Sequence, residues 1–198
     1  MELSAIDPNE KPLDYLPPDG GYTAIFRKIV CVGDSLSSGE FESRSADGSK
    51  GYHDMFEFSW GQFIARMCGS EVRNFSRGGM TAKEYCESFA EQKDFWNPQY
   101  AAQAYIIALG INDLLGQKQE VGSIADVDWA DWRNNKPTFA GYYAQIVQRL
   151  KEIQPRAKFF LMTFTRTEDD LPEEHIDMRH RRFLYELAGA TDNSYVLD

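Results

Sequence analysis

Residues 29–41 read "IVCVGDSLSSGEF", and this short segment suggests both an architecture and a chemistry. It begins as an apolar run, which is typical of a strand that is buried on both faces, and then changes abruptly to small polar residues. Ser35 stands at this change, where the predicted strand ends. A serine hydroxyl in such a place is a nucleophile only if a base removes its proton as it attacks.

Four more short apolar runs follow, and helix-like stretches separate them. The runs are "EVRNFS" (71–76), "AYIIALG" (104–110), "KFFLMTFT" (158–165) and "SYVLD" (194–198). The helix-like stretches are residues 59–69, 81–92, 139–155 and 173–190. This alternation predicts an α/β protein, a three-layer sandwich with a central parallel sheet and flavodoxin-like layering. Sites in such sheets lie at the carboxyl ends of the strands.

The residues that follow the first three strands are small or polar, and all should open on the same edge of the sheet. They are Ser35 after the first strand, Gly78 and Gly79 after the second, and Asn112 after the third. A hydroxyl that attacks an ester creates an oxyanion, which needs hydrogen-bond donors aimed at it. Glycine lets a backbone N–H approach closely, and an asparagine amide is a further donor. The sequence therefore predicts half of an acyl-transfer site.

Taken in order, these motifs resemble the SGNH hydrolases, also called the GDSL esterase/lipase family. "VGDSLSSG" resembles the first block of the family, "VRNFSRGGMTA" the second and "ALGINDLL" the third. The resemblance implies an SGNH-type sandwich that hydrolyses a carboxylic ester through an acyl-serine intermediate. An acetylated carbohydrate, a short-chain ester or a lipid would be the substrate, and no metal or organic cofactor is implied.

The resemblance also implies roles for individual residues. Ser35 would be the catalytic nucleophile. The oxyanion would be held by the Ser35 N–H, the Gly79 N–H and the Asn112 amide, with Gly78 as the near alternative to Gly79.

The family's fourth block, a D-x-x-H motif that supplies the base, has no counterpart before the chain ends at Asp198. We therefore expect an SGNH-like domain over residues 23–198 that is truncated before its last block, and an esterase impaired by the absence of its catalytic histidine. His53 falls in a loop that borders the predicted pocket, and we interpret it as a substrate contact rather than a base. We interpret His175 and His180 as solvated or capping side chains.

Two groups in the loops allow two interpretations each. Trp129 and Trp132 either anchor the insert after the third strand, which is the simpler interpretation, or contact a sugar or acyl group. Arg166 either reaches the pocket or pairs with Glu168 or Asp169 at the surface.

The function of the whole domain also has alternatives. One is a catalytically inactive module with the SGNH fold that binds a glycan or a lipid. The other is a flavodoxin-like module whose Gly-Asp-Ser turn binds phosphate at a helix N-terminus.

Composition limits the classes of partner. The chain has 198 residues with 21 basic and 31 acidic side chains, a formal net charge of −10, which disfavours nucleic acids and anionic membrane surfaces. Its three cysteines have no metal-ligand spacing, so we expect reduced thiols. The small-molecule ester substrate is what the resemblance to the SGNH hydrolases implies. Residues 1–22 are predicted to be a leader segment without the features of a signal peptide, and the default expectation is a cytoplasmic protein.

Overall fold

A computed structural model describes residues 21–164 and 171–198. Most of the predicted leader, together with Arg166, Glu168 and Asp169, lies outside the described residues. The strands are β1 (Lys28–Gly33), β2 (Glu40–Arg44), β3 (Lys50–Asp54), β4 (Glu71–Ser76), β5 (Ala104–Ala108), β6 (Lys158–Met162) and β7 (Ser194–Leu197).

The helices alternate with these strands, as the sequence predicts. They are α1 (Ser35–Ser38), α2 (Trp60–Cys68), α3 (Ala82–Glu84), α4 (Ala90–Gln92), α5 (Phe139–Ile153) and α6 (Ile176–Ala190). A π-helical turn (Tyr85–Phe89) joins α3 to α4, and a second one (Asn112–Gly116) follows β5. No helix within residues 21–164 and 171–198 is long and apolar enough to cross a membrane.

Five strands form one sheet in the order β4-β1-β5-β6-β7, and every neighbouring pair is parallel. Numbered within the sheet, this is the 2-1-3-4-5 order of flavodoxin-like folds, so the predicted three-layer sandwich is confirmed. The direction of winding reverses beside β1, and ligands bind at such a switch point. Gly33 pairs with Ser76 on one side and with Ala108 on the other, so three strands end at the same level.

Helices cover the two faces of the sheet unevenly. Alternate residues of β1 enter different clusters, with Val30 and Val32 packing towards α3–α6 and Ile29 and Cys31 towards α2. The second cluster is much smaller. Cys31 is completely buried on this side, and the described cysteines form no disulfide, in agreement with the reduced thiols expected from the sequence.

Local signals set the helix ends. Ser59 accepts a hydrogen bond from the Gln62 N–H before α2, and Gly69 ends that helix with φ of 65° in the left-handed region. Thr81 caps α3 in the same way, by accepting from the Glu84 N–H. These starts and stops were predicted and are confirmed.

The sequence did not predict the β2–β3 hairpin, which lies in a segment that we expected to be a long loop. Its strands pair in an antiparallel sheet of their own, from Glu40 opposite Asp54 to Arg44 opposite Lys50. Most of its residues are polar and exposed, so no apolar pattern marks it. The hairpin stands at the same edge of the body as the end of β1.

Candidate active site

The end of β1 turns directly into α1, and this turn presents Ser35. Gly33 is required here because a Cβ at this position would lie 2.3 Å from the Ser37 Oγ and 3.0 Å from the Ala108 carbonyl oxygen. The buried Asp34 caps the turn by accepting from the Leu36 N–H at 3.1 Å. Ser35 is half-buried, and its hydroxyl makes no hydrogen bond to any part of the chain that the structure describes.

The loop after β4 packs against the same turn. The Arg77 N–H donates to the Gly33 carbonyl oxygen at 3.2 Å, which joins the two loops. Gly78 donates its N–H to the Asp54 Oδ1 at 3.0 Å, whereas the Gly79 N–H has no partner among the described residues. Gly79 has φ of 72°, and a Cβ there would point into open space. Of the two glycines, Gly79 is therefore the one with an available donor.

Asn112 begins the π-helical turn after β5 and connects all three loops. Its Nδ2 donates to the Met80 carbonyl oxygen at 3.1 Å and lies 3.5 Å from the Asp34 Oδ2. Met80 follows Gly79 and Asp34 precedes Ser35, so the predicted nucleophile and both donors belong to loops in mutual contact. The opposite amide orientation would place an oxygen against two acceptors, which supports this assignment.

Asp113, the next residue, supports the frame of the site. It is fully buried, and both of its carboxylate oxygens accept from the Ala82 N–H at the start of α3, at 2.9 and 3.1 Å. Burial raises the pKa of this carboxyl to about 6, against the opposing effect of the N–H groups of Ala82 and Lys83. Asp113 thus joins the loop after β5 to the first turn of α3, beside the cap that Thr81 provides.

Burial also raises the pKa of Asp34, and the nearby charge of Glu40 acts in the same direction. The N–H of Leu36 opposes both effects. A small pocket of about 60 Å³ opens beside this turn and is lined in part by Asp34, Leu36 and Ile111. The concave surface thus adjoins the residues that flank Ser35 and Asn112.

Two of the three histidines occupy surface positions. His53 lies on β3, where its Nε2 is 2.8 Å from the Ser43 Oγ and its ring packs on Phe41. His175 caps α6 by accepting from the Asp177 N–H at 3.3 Å, so the capping interpretation of His175 is confirmed.

The same interpretation of His180 is wrong, because this side chain is completely buried. Its ring stacks on Phe164 with 3.8 Å between centroids, and its Nε2 lies 3.4 Å from the Leu109 carbonyl oxygen. The signal was present in the sequence: His180 is three and seven residues before the inward-facing Phe183 and Leu187, and therefore shares their helix face.

Burial lowers the pKa of His180 to about 4, and the contact with the Leu109 carbonyl only partly opposes this effect. The ring is therefore neutral at pH 7. Its Nδ1 is buried without a hydrogen-bond partner among the described residues. Gly110 makes room for the ring, because a Cβ there would lie 2.9 Å from the His180 Nε2 and 3.0 Å from the Phe139 Cζ.

The tryptophans of the insert lie at the other end of the molecule. Trp132 donates its indole N–H to the Glu152 Oε1 at 3.1 Å and packs against the guanidinium of Arg149 on α5. Trp129 is half exposed and lines a groove of about 430 Å³ with the carboxyl ends of α5 and α6. Those helix ends lead into the starts of β6 and β7, so the groove is at the sheet edge opposite Ser35. Trp132 anchors the insert.

The site also contains a residue that the sequence did not single out. Asp54, at the end of β3, accepts hydrogen bonds from the Gly78 N–H and from the Ser38 hydroxyl. No sequence signal marks it, because its position depends on the unpredicted hairpin.

Comparison with known proteins gives the following matches. The sequence model of the GDSL-like lipase/acylhydrolase family matches residues 31–194. A search of curated protein sequences finds no significant match.

Solved structures share the fold at low sequence identity. A family 2 carbohydrate esterase with a carbohydrate-binding domain from Corynascus thermopiles (Myceliophthora fergusii) is 16% identical with a TM-score of 0.59, over 87% of this chain and 56% of that one. A family two carbohydrate esterase from Clostridium thermocellum in complex with cellohexaose is also 16% identical, with a TM-score of 0.55 over 86% and 53%. A catalytic mutant of an acetylxylan esterase from Geobacillus stearothermophilus is 19% identical, with a TM-score of 0.52 over 87% and 75%. The chain thus spans little more than half the length of the first two esterases.

Proposed function

This chain belongs to the GDSL-like lipase/acylhydrolase family, and we propose that it is a serine esterase in which Ser35 is the nucleophile. One observation carries the proposal. The Asn112 amide contacts Met80, the residue after Gly79, and Asp34, the residue before Ser35. The loops that carry the Ser35 hydroxyl and the Gly79 N–H, both without a partner among the described residues, are therefore in contact.

In the proposed reaction the Ser35 Oγ attacks the ester carbonyl carbon, and the carbonyl oxygen becomes an oxyanion. The N–H groups of Ser35 and Gly79 and the Asn112 amide donate to that oxygen, and each such donor is worth roughly 10²–10³ in rate. The C–O bond to the alcohol then breaks, the alcohol leaves with the serine proton, and an acyl-serine remains. Attack by water on this intermediate releases the carboxylic acid and restores Ser35.

Asn112 is suited to donate to the oxyanion because the two contacts of its amide differ in strength. The bond to the Met80 carbonyl, at 3.1 Å, has ordinary geometry and fixes the side chain. The contact with the Asp34 carboxylate, at 3.5 Å, is at the limit of a hydrogen bond. A substrate oxyanion would replace this longer contact while the shorter bond keeps the amide in place.

Transfer of the serine proton limits the rate that we expect. None of the three histidines makes a hydrogen bond to the Ser35 hydroxyl in the part of the chain that the structure describes: His53 contacts the Ser43 hydroxyl, His175 caps α6, and His180 contacts the Leu109 carbonyl. Oxyanion stabilisation and binding alone leave roughly 10³–10⁴-fold acceleration over water in triad enzymes that lack a catalytic residue. We therefore expect slow turnover by this chain.

The fold neighbours named as carbohydrate and acetylxylan esterases support an acetylated carbohydrate as the first substrate to test. The experiment compares the chain with Ser35→Ala, using p-nitrophenyl acetate and an acetylated xylo-oligosaccharide, and measures nitrophenol or acetate release. We expect a slow hydrolysis that falls at least tenfold in Ser35→Ala. Equal rates in the two proteins would exclude Ser35 as the nucleophile.

A module that binds esters without hydrolysing them is the second candidate, and it is favoured because no histidine among the described residues is hydrogen-bonded to the Ser35 hydroxyl. It predicts saturable binding of the acetylated oligosaccharide in calorimetry with no acetate released. The phosphate-binding alternative receives no support from this turn, because the Asp34 carboxylate already accepts from the Leu36 N–H that would have to bind the phosphate.

A further inference from the structure

The base of the β2–β3 hairpin is fixed to the nucleophile helix. Gly39, the residue after α1, has φ of 72° and accepts at its carbonyl from the Met55 N–H at 3.2 Å. A Cβ on Gly39 would lie only 2.4 Å from the Met55 carbonyl oxygen, so the two ends of the hairpin are in direct backbone contact. The hairpin therefore leaves and re-enters the body at one point, beside Ser35.

A single carboxylate oxygen at this base joins two parts of the proposed site. The Asp54 Oδ1 accepts from the Ser38 hydroxyl, which is completely buried at the end of α1. The same oxygen accepts from the Gly78 N–H at 3.0 Å. Ser35 begins the helix that Ser38 ends, and Gly79 follows Gly78, so Asp54 connects the turn of the nucleophile to the turn of the oxyanion donor.

Glu40, the strand partner of Asp54, lies on the other side of the glycine pair. A Cβ on Gly78 would lie 1.7 Å from the Glu40 Oε2 and 3.2 Å from the Asp54 Oδ1. The Gly78 backbone is therefore enclosed by two side chains from the two strands of the hairpin. A side chain at position 78 would therefore have to displace the Glu40 carboxylate.

Two consecutive glycines need such a constraint. Glycine populates a wide range of φ and ψ, so an untethered Gly78–Gly79 pair would point the Gly79 N–H in many directions. A donor contributes to catalysis when it already points at the place where charge develops. The hydrogen bond from the Gly78 N–H to the Asp54 carboxylate restricts the peptide group between Arg77 and Gly78. This peptide group is next to the one that carries the Gly79 N–H.

We infer that Asp54 is a positioning residue that holds the Gly78–Gly79 turn against the nucleophile helix and so keeps the Gly79 N–H aimed into the oxyanion site. The inference rests on the proposed esterase function, and it adds a residue that touches no substrate. It also assigns a role to the base of the β2–β3 hairpin, where Asp54 lies.

The test compares Asp54→Ala, Asp54→Asn and the control Asp47→Ala. Asp47 lies in the turn of the same hairpin, where its carboxylate accepts from the Ser49 N–H and hydroxyl, far from the glycine pair along both strands. Asparagine keeps a carbonyl oxygen in the place of the Asp54 Oδ1, so it should accept from both donors. Each variant is examined below its melting temperature by amide hydrogen exchange of Gly78 and Gly79 and by steady-state hydrolysis of p-nitrophenyl acetate.

We expect Asp54→Ala to speed exchange of the Gly78 amide about tenfold or more and to lower kcat about tenfold, with KM within about twofold of the original value. Asp54→Asn should restore both quantities, and Asp47→Ala should change neither. A purely structural role would lower the melting temperature without this split between kcat and KM.

Three outcomes would overturn the inference. The first is unchanged Gly78 exchange in Asp54→Ala, which does not depend on activity. The second is faster exchange with an unchanged kcat, and the third is an equal effect of Asp47→Ala. A failure of the proposed function would show itself separately, as equal hydrolysis by the unsubstituted chain and Ser35→Ala.

Discussion

Replacing His180 by phenylalanine should make the fold more resistant to acid. In the folded chain the ring is buried against Phe164 and Phe139, and burial lowers its pKa to about 4 from an ordinary value of 6.5. Below pH 6.5 the unfolded chain binds a proton that the folded chain does not bind. The stability of the fold therefore decreases as the pH falls from about 6.5 to about 4, and phenylalanine removes this cost.

The size of the effect follows from the two pKa values of His180. Each pKa unit is worth about 1.4 kcal/mol, so the full loss is about 3 kcal/mol, of which about 2 kcal/mol is already present at pH 5. At pH 8 the ring is neutral in both states. There the variant loses only the 3.4 Å contact with the Leu109 carbonyl, keeps an aromatic ring against Phe164, and should differ by no more than about 1 kcal/mol.

Urea unfolding at pH 8 and pH 5, followed by tryptophan fluorescence, measures the difference. Asp113 acts in the opposite direction, because its raised pKa of about 6 makes the folded chain take up a proton before the unfolded chain does. This stabilises the fold as the pH falls from about 6 towards 3.8. The effect of Asp113 is common to the two proteins and cancels when they are compared at one pH.

A second variant, His180→Leu, separates titration from shape. Leucine loses the aromatic stack and should be less stable than phenylalanine at both pH values, yet it should show the same change between pH 8 and pH 5. The reasoning fails if the free-energy difference between the original chain and either variant is the same at the two pH values.

Three further changes have defined outcomes. Gly110→Ala should cost about 2–3 kcal/mol and lower Tm by several degrees, because φ is 131° and the new Cβ would press on His180 and Phe139; an unaltered Tm would contradict this. Asn112→Ala should lower kcat for p-nitrophenyl acetate by about 10²-fold, since a donor to the oxyanion is lost, and a kcat within twofold of the original would remove Asn112 from the oxyanion site. Trp129→Ala should leave kcat and KM unchanged, because the side chain lies at the edge opposite Ser35; a clear rise in KM would show that the groove binds substrate.

The main sheet could be predicted well because its central strands, β1 and β5, are buried on both faces. The first strand lies where the apolar run before Ser35 predicts it, the predicted limits of β4 agree with the structure, and the predicted runs at β5, β6 and β7 are only slightly longer than the strands. Continuous apolar composition is a strong signal. The hairpin lacks that signal, because its exposed strands depend on pairing with each other and on contacts at their base.

The candidate site could be predicted only as a set of residue types. The order of Ser35, the glycine pair and Asn112 indicated which loops meet, but the choice between Gly78 and Gly79 depends on which N–H is already engaged. That engagement comes from Asp54, which is distant in the sequence. For His180 the helix face shared with Phe183 and Leu187 indicates burial, but the stacking on Phe164 and the space left by Gly110 depend on other segments of the chain.

The two ends of the β2–β3 hairpin differ. Its base is held by the hydrogen bonds of Asp54, whereas its tip is exposed to solvent. Its five-residue strands place the tip, residues 45–49, about 17 Å from Asp54, and every residue of the tip is exposed. Loops of this kind accept added sequence at little energetic cost. An epitope or a reporter peptide inserted between Ala46 and Asp47 should therefore leave the contacts of Asp54 with Ser38 and Gly78 undisturbed, which gives a convenient handle for immobilising the protein.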